Sequence, residues 1–172
     1  PETGQVLSKI AGFGETVRCL AFSPDGKTLL AGDWEGFLVF CDTVTGKETR
    51  RLRGGELVVH GVAFSPDGKS AISGGADQNV SLWDLTTGKV SFTFRGHKAG
   101  VRSVTFSPDG KMVASAAADK RVRLWDVATG RALRHFGEPE DAVKSVAFSP
   151  DGQLLAAGGG DWHTAVCLWD VA

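Results

Sequence analysis

Apolar residues in this chain come in short runs, broken by turn-forming residues roughly every 8–12 positions, and no stretch keeps a helical period. Residues 101–106 are apolar and β-branched, as a strand with a buried face requires. Ser-Pro-Asp-Gly at 107–110 follows, in which Pro presets φ and Gly accepts a positive one. Residues 111–115 read as a second strand and 116–120 as a loop of small residues. Residues 121–125 alternate charged and apolar side chains as a third strand. After a turn at 126–130 a fourth strand reaches Phe136. The pattern predicts an all-β protein.

The same unit recurs. Phe-Ser-Pro-Asp-Gly starts at Phe22, Phe64, Phe106 and Phe148, each step being 42 residues. Thr-Gly pairs keep that register at Thr3, Thr45, Thr87 and Thr129. Trp-Asp stands at Trp83-Asp84, Trp125-Asp126 and Trp169-Asp170, with Cys41-Asp42 in the first unit. The last unit carries a two-residue insertion before its Trp-Asp.

A period of this length, with Gly96-His97 and the three Trp-Asp pairs, resembles the WD40 family of β-propellers over the whole chain. The resemblance implies four-stranded blades around a channel, with sequence repeats offset by one strand from blades. Blade one then takes strands near 17–22, 28–31, 37–41 and 47–52, and blade two near 59–64, 70–73, 79–83 and 89–94. Blade three takes 101–106, 111–115, 121–125 and 131–136. Blade four has 143–148, 153–157 and 165–169 and lacks its outer strand, whereas 5–10 stands in the register of that strand. The single domain, 1–172, thus divides into a closing strand 1–10 and repeats 11–52, 53–94, 95–136 and 137–172.

Each blade buries both faces against neighbours, so an open arc of four leaves two apolar faces in water, each on the order of ~800 Å². One chain closing on itself, a larger ring or filament, and two chains forming an eight-bladed ring all remain open. Relatives normally have about seven or eight blades, which favours the homodimer. In it, strand 5–10 of one chain completes blade four of the other.

The resemblance also assigns a structural role to what looks like a catalytic triad. In such blades an Asp of the second loop bonds the Gly-His histidine, the histidine bonds a second-strand Ser, and the Ser bonds the Trp indole. The matching residues are Asp119, His97, Ser115 and Trp125. Blade two keeps Ser73, Asp77 and Trp83 but has Gly55 in place of histidine. Blade four keeps Asp161 and Trp169 but has Pro139 and Ala157, and blade one has Phe13, Ala31, Glu35 and Cys41. No oxyanion-hole, metal-binding or phosphate-loop motif accompanies them, so neither catalytic residues nor cofactors are expected.

Partner contacts are expected on the face built from the loops before each first strand and between second and third strands. Trp34, Trp162 and His163 lie there, the last two at the insertion. Arg18, His60, Arg102 and Lys144 repeat at intervals of 42 just inside the first strands and form a basic register around the channel mouth, suited to an anion or acidic peptide.

Composition narrows the function. Of 172 residues, 23 are Gly, which the turns require, and the net charge of −1 removes the electrostatic case for nucleic acid. No apolar run is long enough for a membrane span. Cys19, Cys41 and Cys167 are odd in number and lack metal spacing, which fits reduced thiols in a cytoplasmic protein. The expected function is a non-enzymatic scaffold that assembles with itself and binds a protein or peptide. The alternative is an engineered or excised propeller piece with no native ligand, to which Pro1 and the missing outer strand point. An enzyme has the least behind it.

Overall fold

The computed structural model describes residues 6, 9–10, 13–14, 16–137, 141–160 and 165–171. Among the described residues fifteen strands make four antiparallel sheets, each an up-and-down meander in chain order. Blade one holds β1 (Val17–Phe22), β2 (Thr28–Asp33), β3 (Phe37–Asp42) and β4 (Glu48–Arg53). Blade two holds β5 (Val59–Phe64), β6 (Ser70–Gly75), β7 (Val80–Asp84) and β8 (Lys89–Phe94). Blade three holds β9 (Val101–Phe106), β10 (Met112–Ala117), β11 (Val122–Asp126) and β12 (Ala132–Phe136). Blade four has three strands among the described residues: β13 (Val143–Phe148), β14 (Leu154–Gly159) and β15 (Ala165–Asp170). The first strands, β1, β5, β9 and β13, lie side by side and form the inner wall of the arc.

Local chemistry closes each hairpin. In the turn between β5 and β6, the Ser65 hydroxyl donates to Asp67 at 2.6 Å, Asp67 accepts the Lys69 N–H, and Ser65 Oγ accepts the Ser70 N–H. Gly68 sits at φ 70°, which a β-carbon would strain. The same clamp recurs at Ser23, Ser107 and Ser149. The Asp residues of two Trp-Asp pairs have a matching task after the third strand: Asp84 accepts the N–H groups of Thr86 and Thr87, and Asp126 accepts both the N–H and the hydroxyl of Thr129. These bonds hold the Asp67 and Asp126 carboxyls below the usual range.

The second strands run two residues past the expected ends. Ala116 and Ala117, expected in a loop, pair with β9 across a bulge. Both are fully buried: Ala116 packs with Val143 and Val146 of the next blade, and Ala117 lies in the cluster shared with blade two. A β-carbon on Gly74, in the matching part of β6, would come within 2.6 Å of Val101. Small size here reports close sheet packing and not a loop.

The core consists of blade-to-blade interfaces. Leu30, Leu38 and Phe40 of blade one meet Val59, Val62, Ala71 and Trp83 of blade two. Ile72, Val80, Leu82 and Phe94 meet Val101, Val104, Phe106, Val113 and Trp125. Ala114, Val122, Leu124 and Phe136 meet Val143, Val146 and Leu155. The two end faces carry residues in the same registers without a neighbour. On blade one, Leu20 and Phe22 are 58% and 66% exposed, although Val62 and Phe106 in matching registers are buried. On blade four, Val166 and Leu168 are 74% and 66% exposed, although Val122 and Leu124 are buried.

The expected strand at 5–10 lies partly outside the described residues. Val6, Lys9 and Ile10 are described and carry no strand pairing. Ile10 packs on Ala31, Val39 and Cys41 of blade one.

Candidate functional site

Blade three brings four of the expected residues together on the face that meets blade two. The Trp125 indole N–H donates to Ser115 Oγ at 2.8 Å, and that oxygen is 2.8 Å from His97 Nε2. His97 Nδ1 lies 3.0 Å from Asp119, whose carboxylate also accepts the backbone N–H groups of Lys98 and Arg121. A neutral imidazole with its proton on Nδ1 satisfies the whole relay: Trp125 donates to Ser115, Ser115 to His97, and His97 to Asp119. Burial, the largest influence, holds His97 below the usual histidine range against the upward pull of Asp119. The geometry imitates a hydrolytic triad, but Ser115 is 0% exposed and its hydroxyl is shared between an indole and an imidazole. What this arrangement can do is fix the loop to the sheet.

Blade two keeps half of the relay. Trp83 donates to Ser73 at 2.9 Å, while Asp77 turns to Asn79. A β-carbon on Gly55 would meet the Leu57 carbonyl oxygen at 3.4 Å and Asp77 Oδ2 at 3.8 Å, both ordinary contacts. We therefore expect Gly55→His to rebuild the relay with Ser73 and Asp77 and to stabilise the fold by about 1 kcal/mol, read as a melting point about 2–4 °C higher. An unchanged or lower melting point would show that the histidine does not dock.

Blade one solves the same problem with apolar contacts. Phe13, Ala31 and Cys41 occupy the His, Ser and Trp positions and pack with Val39. A residue not expected from the sequence, Asp33, takes over the loop capping. Its Oδ1 accepts the Phe37 N–H at 2.7 Å, where blades two and three use Asp77 and Asp119 on Asn79 and Arg121. Its signal is an acidic residue where the other units have Gly75, Ala117 and Gly159. In blade four, Ala157 and Trp169 share a core, and Pro139 and Asp161 lie outside the described residues.

The loops named as a partner face come together at one end of the sheets. Trp34 N–H donates to Thr16 O, Ala76 N–H to Val58 O and Ala118 N–H to Gly100 O, each at 3.0 Å. Trp34 does not fold inward: it is 53% exposed, with the Arg18 guanidinium 5.5 Å above its ring. Arg18, His60, Arg102 and Lys144 stand on four adjacent inner strands. Arg102 Nη1 donates to His60 Nε2 at 3.0 Å. Burial, then Arg102 and Arg18, hold His60 below the usual histidine range. Trp162 and His163 lie outside the described residues. Among the described residues no group of His, Cys, Asp and Glu could hold a metal, and no helix is long and apolar enough to cross a membrane.

The family described as WD domain, G-beta repeat matches four times, over residues 4–42, 46–84, 88–126 and 130–170. The chain belongs to the WD40 family. Each match ends with the third strand of a blade, so the WD40 sequence repeat straddles two blades. WD40 propellers are generally non-enzymatic scaffolds that mediate protein interactions. A comparison with curated proteins finds no match.

Proposed function

We propose that the chain is a non-enzymatic scaffold which closes with a second copy of itself into an eight-bladed ring. The ring presents the face bearing Trp34, Arg18, His60, Arg102 and Lys144, with Trp162 and His163, to a protein or peptide. The observation that carries this reading is the pair of end faces. Leu20 and Phe22 at one end, and Val166 and Leu168 at the other, hold the registers that three internal interfaces bury. They remain exposed in the single chain, so blades one and four do not cover each other. Two chains related by a twofold axis cover both ends with one repeated contact, a continuation of the internal interfaces.

Ile10 supports the exchange of a closing strand. Ile10, Leu52, Phe94 and Phe136 are spaced by 42. Leu52 shares a core with Trp83, Phe94 lies 5.6 Å from Trp125, and Phe136 lies 5.3 Å from Trp169. Ile10 packs on the cluster containing Cys41, which occupies the tryptophan position. It sits where the outer strand of a preceding blade belongs, and among the described residues blade four has three strands and an open outer edge to receive it. Light scattering should give twice 18.1 kDa, and removing residues 1–10 should return single chains. A monodisperse single chain for the intact protein would sink the reading.

A further inference from the structure

We infer that Arg18, His60 and Arg102 form a binding site for a dianionic oxyanion group, of the phosphate or sulfate kind, whose capture is coupled to protonation of His60. The inference rests on the preceding section only in taking this face as the one that meets partners. All three residues belong to one chain.

Two guanidiniums flank a histidine on three adjacent inner strands, and Arg102 donates directly to His60. Among the described residues neither Arg18 nor Arg102 has a carboxylate partner. Arg18 is braced on Trp34, which keeps its guanidinium at the rim. Of the strands packed on β5, β1 brings Arg18 and the half-buried Cys19 thiol, which is pushed up to about 12 and stays neutral. β9 brings Arg102, β6 carries no ionisable group, and Asp33 of β2 is turned to the Phe37 N–H. The two cations therefore act on His60 without an offsetting anion, and they add to burial, the larger influence, in holding it below the usual histidine range. An oxyanion between them removes that repulsion. It frees Arg102 to donate to oxygen, and His60 then takes up a proton and becomes a third donor. Two guanidiniums and one imidazolium match two negative charges better than one, which favours a dianion over a lone carboxylate. By linkage, the anion raises the proton affinity of His60 by the factor that protonation raises the anion's affinity.

Sulfate is the suitable probe, since it stays dianionic from pH 5 to pH 8 and does not titrate itself. The His60 ring resonance is followed by NMR against pH, with sodium chloride exchanged for sodium sulfate at constant ionic strength. The expected result is a saturable upward shift of the His60 titration by about one pH unit, a coupling of about tenfold, with His97 and His135 unmoved. Arg102→Gln and Arg18→Gln should raise the starting titration and abolish the sulfate response. These side chains are exposed, so the variants keep the fold, and an unmoved His97 resonance verifies it. A shift equal in chloride, or one that survives in both variants, overturns the site. Inorganic phosphate and a phosphoserine peptide, compared next at one pH, separate a free anion from one carried on a chain. The solution mass is taken on the same samples. A single chain that shows the shift sinks the ring and keeps the site, whereas a dimer without the shift sinks the site and keeps the ring.

Discussion

Leu168→Asp should split the proposed ring into single chains. Leu168 is 66% exposed in the single chain, yet Leu82 and Leu124 in the same register are 6% and 2% exposed inside their interfaces. A second copy's blade one, with Leu20 and Phe22, would cover it in the proposed ring. A carboxylate there loses water without gaining a partner, at a cost of several kcal/mol. A twofold ring contains the substitution twice. The dissociation constant should therefore rise on the order of 10³-fold or more. Leu168 faces away from blade three, whose contacts with blade four run through Val143, Val146 and Leu155. The sheet signal in circular dichroism should stay. Sedimentation at micromolar concentration reads the outcome, and an intact dimer would overturn the proposed closure.

His97→Ala should cost about 1–3 kcal/mol at neutral pH, because it strips Ser115 of its acceptor and Asp119 of a donor inside a buried relay. Its pH signature separates it from a simple packing loss. The folded state holds His97 below its usual range, so in that window the unfolded chain binds the extra proton. The relay's contribution is complete above the unfolded value of about 6.5 and is lost as pH falls from there through the lowered folded value. Denaturant unfolding at stepped pH should show wild-type stability rising with pH across this window. The variant should rise less steeply. A melt that His97→Ala leaves unchanged, or an unchanged slope, would mean that the relay contributes nothing.

The blade plan was legible because each hairpin is closed by its own side chains. Ser65 and Asp67, or Asp126 and Thr129, need no distant partner to set a turn, so the spacing of the turns fixes the strands between them. The ends of the second strands were not legible. Ala116 and Ala117 resemble a loop until they are seen buried in the interfaces with the two neighbouring sheets, which is a tertiary constraint. Asp33 was missed for a related reason. It does the work of Asp77 and Asp119 from a different position, and alignment by register cannot follow a task that moves along the chain. The Arg102–His60 contact was half legible: the spacing placed both on inner strands, but the direction of donation and its effect on His60 depend on distances.

The Ser–Asp clamps set the order in which the protein acquires its shape. Their bonds join residues no more than five apart, so hairpins can form on the microsecond scale before any long-range contact exists. What remains slow is the stacking of preformed sheets. The inner two blades have a neighbour on each side and gain most from it. Until a second copy closes the ring, the outer two have one neighbour each and should be the first to exchange their amide hydrogens with solvent.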